Sequence, residues 1–318
     1  MRKPDFFIVG TPKTGTTALH AMLRRHPQIY MPKLKEPRFL ASDMSPHPRH
    51  ADGPHEVRYP HTLEEYLALF DKATPEQRAG EATPMYLWSR FAAAGIADLQ
   101  PDARIIAILR EPASFLRSLH LAFLNGGNEA EKDLRRAIGL EDARRQGQHV
   151  PRTSHRPQLL QYSEHVRYVE QLRRYDAHFP PEQILLLIYD DFRADNEATV
   201  RRVLRFLEVD EESPIDFDRA NVTGHSPRSP QAKHVMLSVA QGRRPIARTT
   251  KATVKALTTV GMRQAAARMI DRRMRTEAPP PDESFLLELR QRFKPEVLAL
   301  SEYLGRDLVR LWGYDEIS

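Results

Sequence analysis

The sequence predicts an α/β protein: a three-layer α/β/α sandwich around a central parallel sheet, followed by a helical C-terminal segment. Two observations predict it. Three short apolar runs, within 6–9, 104–109 and 183–189, have the length of strands buried on both faces and do not alternate with polar residues. Each is followed by apolar residues at helical spacing: Leu19, Met22 and Leu23, then Phe115, Leu116, Leu119 and Phe123, then Val200, Val203, Leu204 and Leu207. Strands that alternate with helices are the pattern of a parallel sheet covered on both sides.

Taken in order, the first run ends at Gly10 and Pro12, a helix begins at Thr16, and His26-Pro27 ends it. Pro112 suits the first turn of the helix after the second run, and Gly126-Gly127 breaks that helix. Residues 41–60, rich in Pro and His, and 146–157, polar and mobile, read as loops. A helix is expected over 163–179 before the third strand. Residues 249–275 form another, with Val254, Leu257, Gly261, Ala265 and Met269 on one side. A linker follows over 276–282, then a helix over 284–312 broken at Pro295. Residues 1–230 are expected to form the core and 231–318 an extension packed on it.

Composition narrows the chemistry. The 318 residues include no cysteine, so disulfides, thiolate metal sites and cysteine nucleophiles are excluded. No run of apolar residues is long enough to cross a membrane, and the N-terminus lacks the apolar core of a signal peptide, so the expected compartment is the cytoplasm. The net charge is +6, but residues 221–276 hold twelve Lys/Arg against one acid, Asp271, so that segment carries +11 and the remainder −5. Such a block suits an anionic ligand, an anionic acceptor or a membrane surface. For 251–275, arginines facing an acceptor cleft are preferred over peripheral membrane contact, because Gly261 and Ala265 weaken the apolar stripe.

The segment Gly10-Thr11-Pro12-Lys13-Thr14-Gly15-Thr16-Thr17 joins the first strand to the first helix. A glycine-containing turn at a helix start presents free N–H groups and the positive end of the helix dipole, which suits a phosphate. Lys13 adds a point charge, and Thr16 and Thr17 add hydroxyl donors. A nucleotide-hydrolysing P-loop would place lysine directly after the second glycine. Here Thr16 occupies that position and the lysine lies three residues earlier. Arg110 at the second strand end has the wrong sign for a metal ligand. Asp190-Asp191 after the third strand could pass for one, which keeps a Mg²⁺-dependent nucleotide kinase as an alternative. A non-catalytic anion or nucleic-acid binder built on 221–276 is a further alternative, though no nucleic-acid partner is expected.

The stretch FIVGTPKTGTTALHAMLRRHPQI, from Phe7 to Ile29, strongly resembles the start of sulfotransferases that use 3′-phosphoadenosine-5′-phosphosulfate (PAPS). The heparan sulfate N- and 3-O-sulfotransferase branch is the most similar, and a bacterial member is expected. The resemblance extends over roughly 5–210. It implies a P-loop type fold, PAPS as donor, its bisphosphate PAP as product, and no metal. It further implies that Thr11, Pro12, Lys13, Thr14, Gly15, Thr16 and Thr17 bind the 5′-phosphosulfate, with Lys13 at the bridging oxygen. Arg110 and Ser118, eight residues apart, match the family's 3′-phosphate pair, and Arg228 in NVTGHSPRSP is the best candidate for a further phosphate contact. Neither Trp88 nor Trp312 falls where an adenine clamp is expected.

Lys33 to Phe39 (KLKEPRF) resembles the family segment that carries the catalytic carboxylate, so Glu36 is the expected base, with Lys35 and Arg38 beside it to orient it or to bind the acceptor. His20 and His120 are rival bases. The segment Gly80 to Tyr86 (GEATPMY) resembles an acceptor-cleft strand end, making Glu81 and Tyr86 acceptor-side candidates, with Tyr162 a third. The implied reaction moves a sulfuryl group to a hydroxyl or amine of a small-molecule, glycan or glycolipid acceptor.

Overall fold

Strand β1 (Phe6–Gly10) lies at the centre of a five-stranded sheet, between β3 (Arg78–Ala82) and β4 (Arg104–Leu109). The edges are β2 (Ile29–Tyr30), beside β3, and β5 (Ile184–Ile188), beside β4, and every pairing is parallel. This is a computed structural model; it describes residues 1–44, 59–154, 156–214, 225–227, 275–277, 280 and 282–317. Arg228 and residues 251–274 lie outside the described residues, as does most of the basic block.

Side chains alternate across a strand, and that alternation makes the layers. Phe7, Val9, Ile105, Ala107 and Leu109 enter one core; Phe6, Ile8, Ile106 and Ile108 enter the other. The second core is closed by α1 (Thr16–Leu23), α8 (Tyr189–Ala194) and α9 (Asn196–Leu207), through Leu19, Leu23, Phe192, Val200 and Leu204. The first is closed by α3 (Ala92–Leu99), α4 (Pro112–Gly126), α7 (Tyr168–Asp176) and the C-terminal α10 (Glu283–Leu304), through Ile96, Leu116, Leu119, Leu172, Val297 and Leu300. Short helices α2 (Leu63–Leu67), α5 (Leu134–Gly139), α6 (Glu141–Arg145) and α11 (Leu308–Leu311) fill the periphery.

Several expectations change. Helix α10 runs through Pro295 without a break. Proline removes one ladder bond, but Phe285, Leu289, Phe293, Val297 and Leu300 form one buried stripe on both sides of it, and that packing outweighs the lost bond. Asp282 caps the start of α10, and Gly305, in the left-handed conformation, ends it. The helix expected over 163–179 starts as a 3-10 turn, Tyr162–Val166, before α7. The 146–157 connection is anchored at its described end, where buried Thr153 donates to the Gly127 carbonyl (2.6 Å) and Ser154 to Asn128 (2.8 Å). In the expected linker, β7 (Arg275–Glu277) pairs antiparallel with β6 (His225–Pro227), which runs alongside α4.

Candidate active site

The loop between β1 and α1 sits at the C-terminal end of the sheet, where an open α/β sheet forms its ligand crevice. The Thr14 hydroxyl donates to the Thr11 carbonyl (2.6 Å), and Thr11 is tied to the Ile108 carbonyl of β4 through both its N–H (2.8 Å) and its hydroxyl (3.1 Å). Thr11 and Thr14 therefore hold the loop with their hydroxyls instead of offering them outward. The ladder of α1 opens with the Leu19 N–H on the Gly15 carbonyl, so the N–H groups of Thr16, Thr17 and Ala18 have no acceptor within the helix, and no side chain caps them. Gly15 has φ +85°, and a Cβ there would lie 2.7 Å from a Phe192 ring atom, so glycine is required twice over.

Lys13 also has a positive φ, +66°, a strained backbone for a side-chain-bearing residue. Burial lowers its pKa, the charges of Arg110 and Lys35 lower it further, and Glu36 opposes them. One half-buried ammonium faced by two further cations is a donor set that suits a phosphate or sulfate group. These residues fit PAPS: Lys13 and the N–H groups at the start of α1 could hold its 5′ end.

Arg110 caps the end of β4. Its guanidinium donates to the Lys13 carbonyl (3.2 Å) and to the Ser114 hydroxyl (3.3 Å), and it lies 4.6 Å from the centre of the Tyr189 ring. Glu111 caps α4 by accepting from the Ala113 and Ser114 N–H groups, and Tyr168 donates to the Arg110 carbonyl (2.9 Å). Ser118 lies one helical turn beyond Ser114 on the same face of α4 and is mostly buried, and Arg110, just before the helix, is bonded to Ser114. The sequence points to neither Ser114 nor Tyr189 as a partner of Arg110. Their types carry no signal, and only the fold stacks them on Arg110.

Within reach of the Lys13 charge lies Glu36, again with a positive φ (+58°), and Arg38 two residues on has φ +59°. One Glu36 oxygen accepts from Lys35 (3.1 Å), the other from Arg38 (2.6 Å). Burial pushes the Glu36 pKa up, but these two cations outweigh it and hold the carboxyl below its ordinary value, so it is ionised at neutral pH. Arg156 joins the group: burial and the neighbouring charge of Arg38 lower its pKa to about 10, while Nε donates to the Met44 carbonyl (2.6 Å). Arg156 lies in a segment read from the sequence as polar connection. Lys35 and Arg38 thus bond to this carboxylate, and Lys13 and Arg156 lie within reach of its charge.

Other expected acceptor contacts are interior. Glu81 and Tyr86 are fully buried and bonded to each other (3.2 Å), and Tyr66 and Thr83 also donate to Glu81. Tyr162 is equally buried and donates to Glu129 (3.0 Å), which pairs with the buried Arg144. These three residues do not present surface to an acceptor; the sequence pattern located their segments but not their depth. His120 is buried too, with Nδ1 2.9 Å from the Tyr162 hydroxyl and Nε2 facing the Lys132 carbonyl (3.1 Å). His20 lies closer to Lys35, but burial and the charges of Lys35 and Arg24 lower its pKa to about 4, and Nε2 has no partner among the described residues. Asp190 accepts from Trp312 (3.0 Å) and Asp191 from Arg306 (2.8 Å), so both are tied to the C-terminal segment and not held free for a nucleotide-bound metal.

The sheet, the lysine loop at its C-terminal end and the ionised carboxylate near it define an α/β protein with a cationic crevice whose donors fit a phosphorylated ligand. The model of the sulfotransferase family matches residues 4–213, about two thirds of the chain, and the chain belongs to that family. Carbohydrate sulfotransferase 15 of Mus musculus is 27% identical over 271 residues, covering 71% of this chain and 47% of the relative. Heparan sulfate glucosamine 3-O-sulfotransferase 6 of Homo sapiens is 31% identical over 115 residues, covering 36% of this chain and 28% of the relative. The chain spans about half the length of the first of these. A sulfotransferase structure from Alicyclobacillus acidocaldarius superposes with a TM-score of 0.66 at 24% identity, covering 98% of this chain and 99% of that one, and shares the fold. Among the described residues no helix is long and apolar enough to cross a membrane.

Proposed function

We propose that the chain is a PAPS-dependent sulfotransferase that sulfates a hydroxyl or amine of a carbohydrate or small-molecule acceptor. The observation that carries this is an ionised Glu36 near enough for its charge to act on Lys13, the two on strained loops of a sulfotransferase-family chain. PAPS, when bound, supplies a sulfuryl group already activated by its phosphate leaving group. Lys13 and the N–H groups of Lys13 to Thr17 hold an anionic oxygen and offset charge that grows on it. Arg110, with Ser114 and Ser118 on the same helix face, binds a second phosphate, and Arg228 remains the candidate for a third contact. Glu36 takes the proton of the acceptor, and Lys35 and Arg38 keep it charged and aimed. Arg38 and Arg156 offer cationic contacts to the acceptor. Residues 1–230 form the catalytic core in a cytoplasmic protein, and 251–275 lines the acceptor cleft.

Two measurements test this. Calorimetry should show PAP binding about 10–100-fold tighter than AMP, the scale of one or two charge-assisted bonds to the 3′-phosphate. Labelled PAPS should transfer sulfate to at least one member of a panel of glycans and phenols. Equal affinity for PAP and AMP, with no transfer, would overturn the function.

A further inference from the structure

The strongest group of buried polar side chains next to the site is Glu81 with its three hydroxyl donors. Tyr66 and Tyr86 both donate to Oε2 (2.5 and 3.2 Å), and Thr83 donates to Oε1 (2.5 Å). Every donor is itself fully buried. A carboxyl group offers acceptor sites on both oxygens, enough to take three hydroxyl protons at once.

These donors reach onward to the Glu36 loop. Tyr86, while donating to Glu81, accepts at its hydroxyl from the Leu40 N–H (3.2 Å). Tyr66, oriented by its bond to Glu81, stacks on Phe39 with ring centres 4.8 Å apart and planes 14° from parallel. Ala82, directly after Glu81 in β3, accepts the Glu36 N–H at its carbonyl (3.0 Å). The loop is thus held at Glu36, Phe39 and Leu40, and all three contacts converge on Glu81 or its neighbour. Such a clamp is needed because Glu36 and Arg38 both have positive φ, a backbone that relaxes unless its surroundings enforce it. None of these contacts touches the Lys13 loop.

We propose that Glu81 is a positioning residue that acts through Tyr66 and Tyr86 to hold the Glu36 loop in its strained conformation, and so sets where the proton acceptor stands. The functional half of this rests on the sulfotransferase reading; the structural half does not. Burial is the largest influence on Glu81 and raises its pKa to about 7, and the hydroxyl donors counter it, as expected of a carboxyl whose charge depends on those hydroxyls.

Two substitutions test it. Glu81→Asp keeps an acceptor-only carboxyl but withdraws it by one carbon, about 1.5 Å. Tyr86→Phe removes only the hydroxyl that links Glu81 to Leu40, and serves if the first variant folds poorly. Amide hydrogen exchange should become faster at Glu36 and Leu40 in both variants, with little change at Gly15 to Leu19. Unchanged exchange at Glu36 and Leu40 in Tyr86→Phe would overturn the proposal whatever the activity. Turnover should fall about 10–100-fold, the scale of a misplacement near 1 Å, while PAP affinity stays within about twofold. In a Glu36→Gln background the same substitutions should lower turnover by less than about twofold, because the group they position is already gone. An equal loss in both backgrounds would show that Glu81 acts elsewhere. A wild type that binds no PAP would count against the sulfotransferase function and leave the exchange result to decide the clamp.

Discussion

The guanidinium of Arg110 donates to the main-chain carbonyl of Lys13 across 3.2 Å. That one bond couples the end of β4 to the loop after β1, so the residue assigned to one phosphate also shapes the loop assigned to the other. Arg110→Ala should therefore do two things. It should bring the affinities for PAP and AMP together, a change of about 10–100-fold in their ratio, and it should weaken AMP itself modestly. Calorimetry on both nucleotides separates the two effects.

Lys13→Ala should lower turnover by about 10²–10³, the cost of removing one preorganised donor to a growing negative charge. The half-buried ammonium is surrounded by cations, so its removal relieves repulsion. The melting temperature should stay equal or rise slightly, and a thermal scan beside the rate assay checks both.

Glu36→Gln should cut turnover by about 10²–10⁴ and leave PAP affinity unchanged. The amide keeps the shape but cannot take a proton, and half of its polar face becomes a donor that Lys35 and Arg38 both reject. Steady-state rates with calorimetry on the same preparation decide it; a base at His20 would leave Glu36→Gln nearly active.

Gly15→Ala should lose donor binding and some stability. Its φ of +85° costs a side-chain-bearing residue about 1–2 kcal/mol, and the new methyl would press on Phe192 at 2.7 Å. Urea denaturation and PAP titration should both show a loss, unlike in Lys13→Ala, whose stability should stay equal or rise slightly.

Acid should destabilise the fold. Burial lowers the pKa of both His20 and His165 to about 4, against 6.5 for the free side chain. The unfolded state then binds up to two more protons between those values. Their contribution to stability is complete above about pH 6.5 and is lost as pH falls toward 4, with a slope of about 2–3 kcal/mol per unit at its steepest. Glu81 acts in the opposite sense: raised to about 7, it contributes stability that is full below about pH 4.5 and lost as pH rises through 7. Urea midpoints at pH 7, 6 and 5 should fall in that order. His165→Gln should flatten the trend and Glu81→Gln should steepen it.

The sequence by itself determined three of the sheet's strands and the composition of the loop after β1. Buried parallel strands must be continuous apolar runs, and a phosphate loop must place glycine, lysine and hydroxyls within a few residues, so both are local patterns that a linear reading detects. The same holds for KLKEPRF, whose charged residues sit side by side in the chain. Tertiary structure alone decided depth and partnership. Glu81, Tyr86 and Tyr162 are polar in sequence yet buried in the fold, because each finds hydrogen-bond partners brought from elsewhere in the chain: Tyr66 for Glu81, the Leu40 N–H for Tyr86, and Glu129 with Arg144 for Tyr162. Ser114, Tyr189 and Arg156 gained their places for the same reason. Pro295 reads as a helix break in the sequence, but the apolar stripe that carries α10 through it is satisfied only by the helices it packs against, α4 and α7. Local propensity and spacing act over a few residues; burial and pairing depend on which distant segments meet, and that is a property of the folded chain.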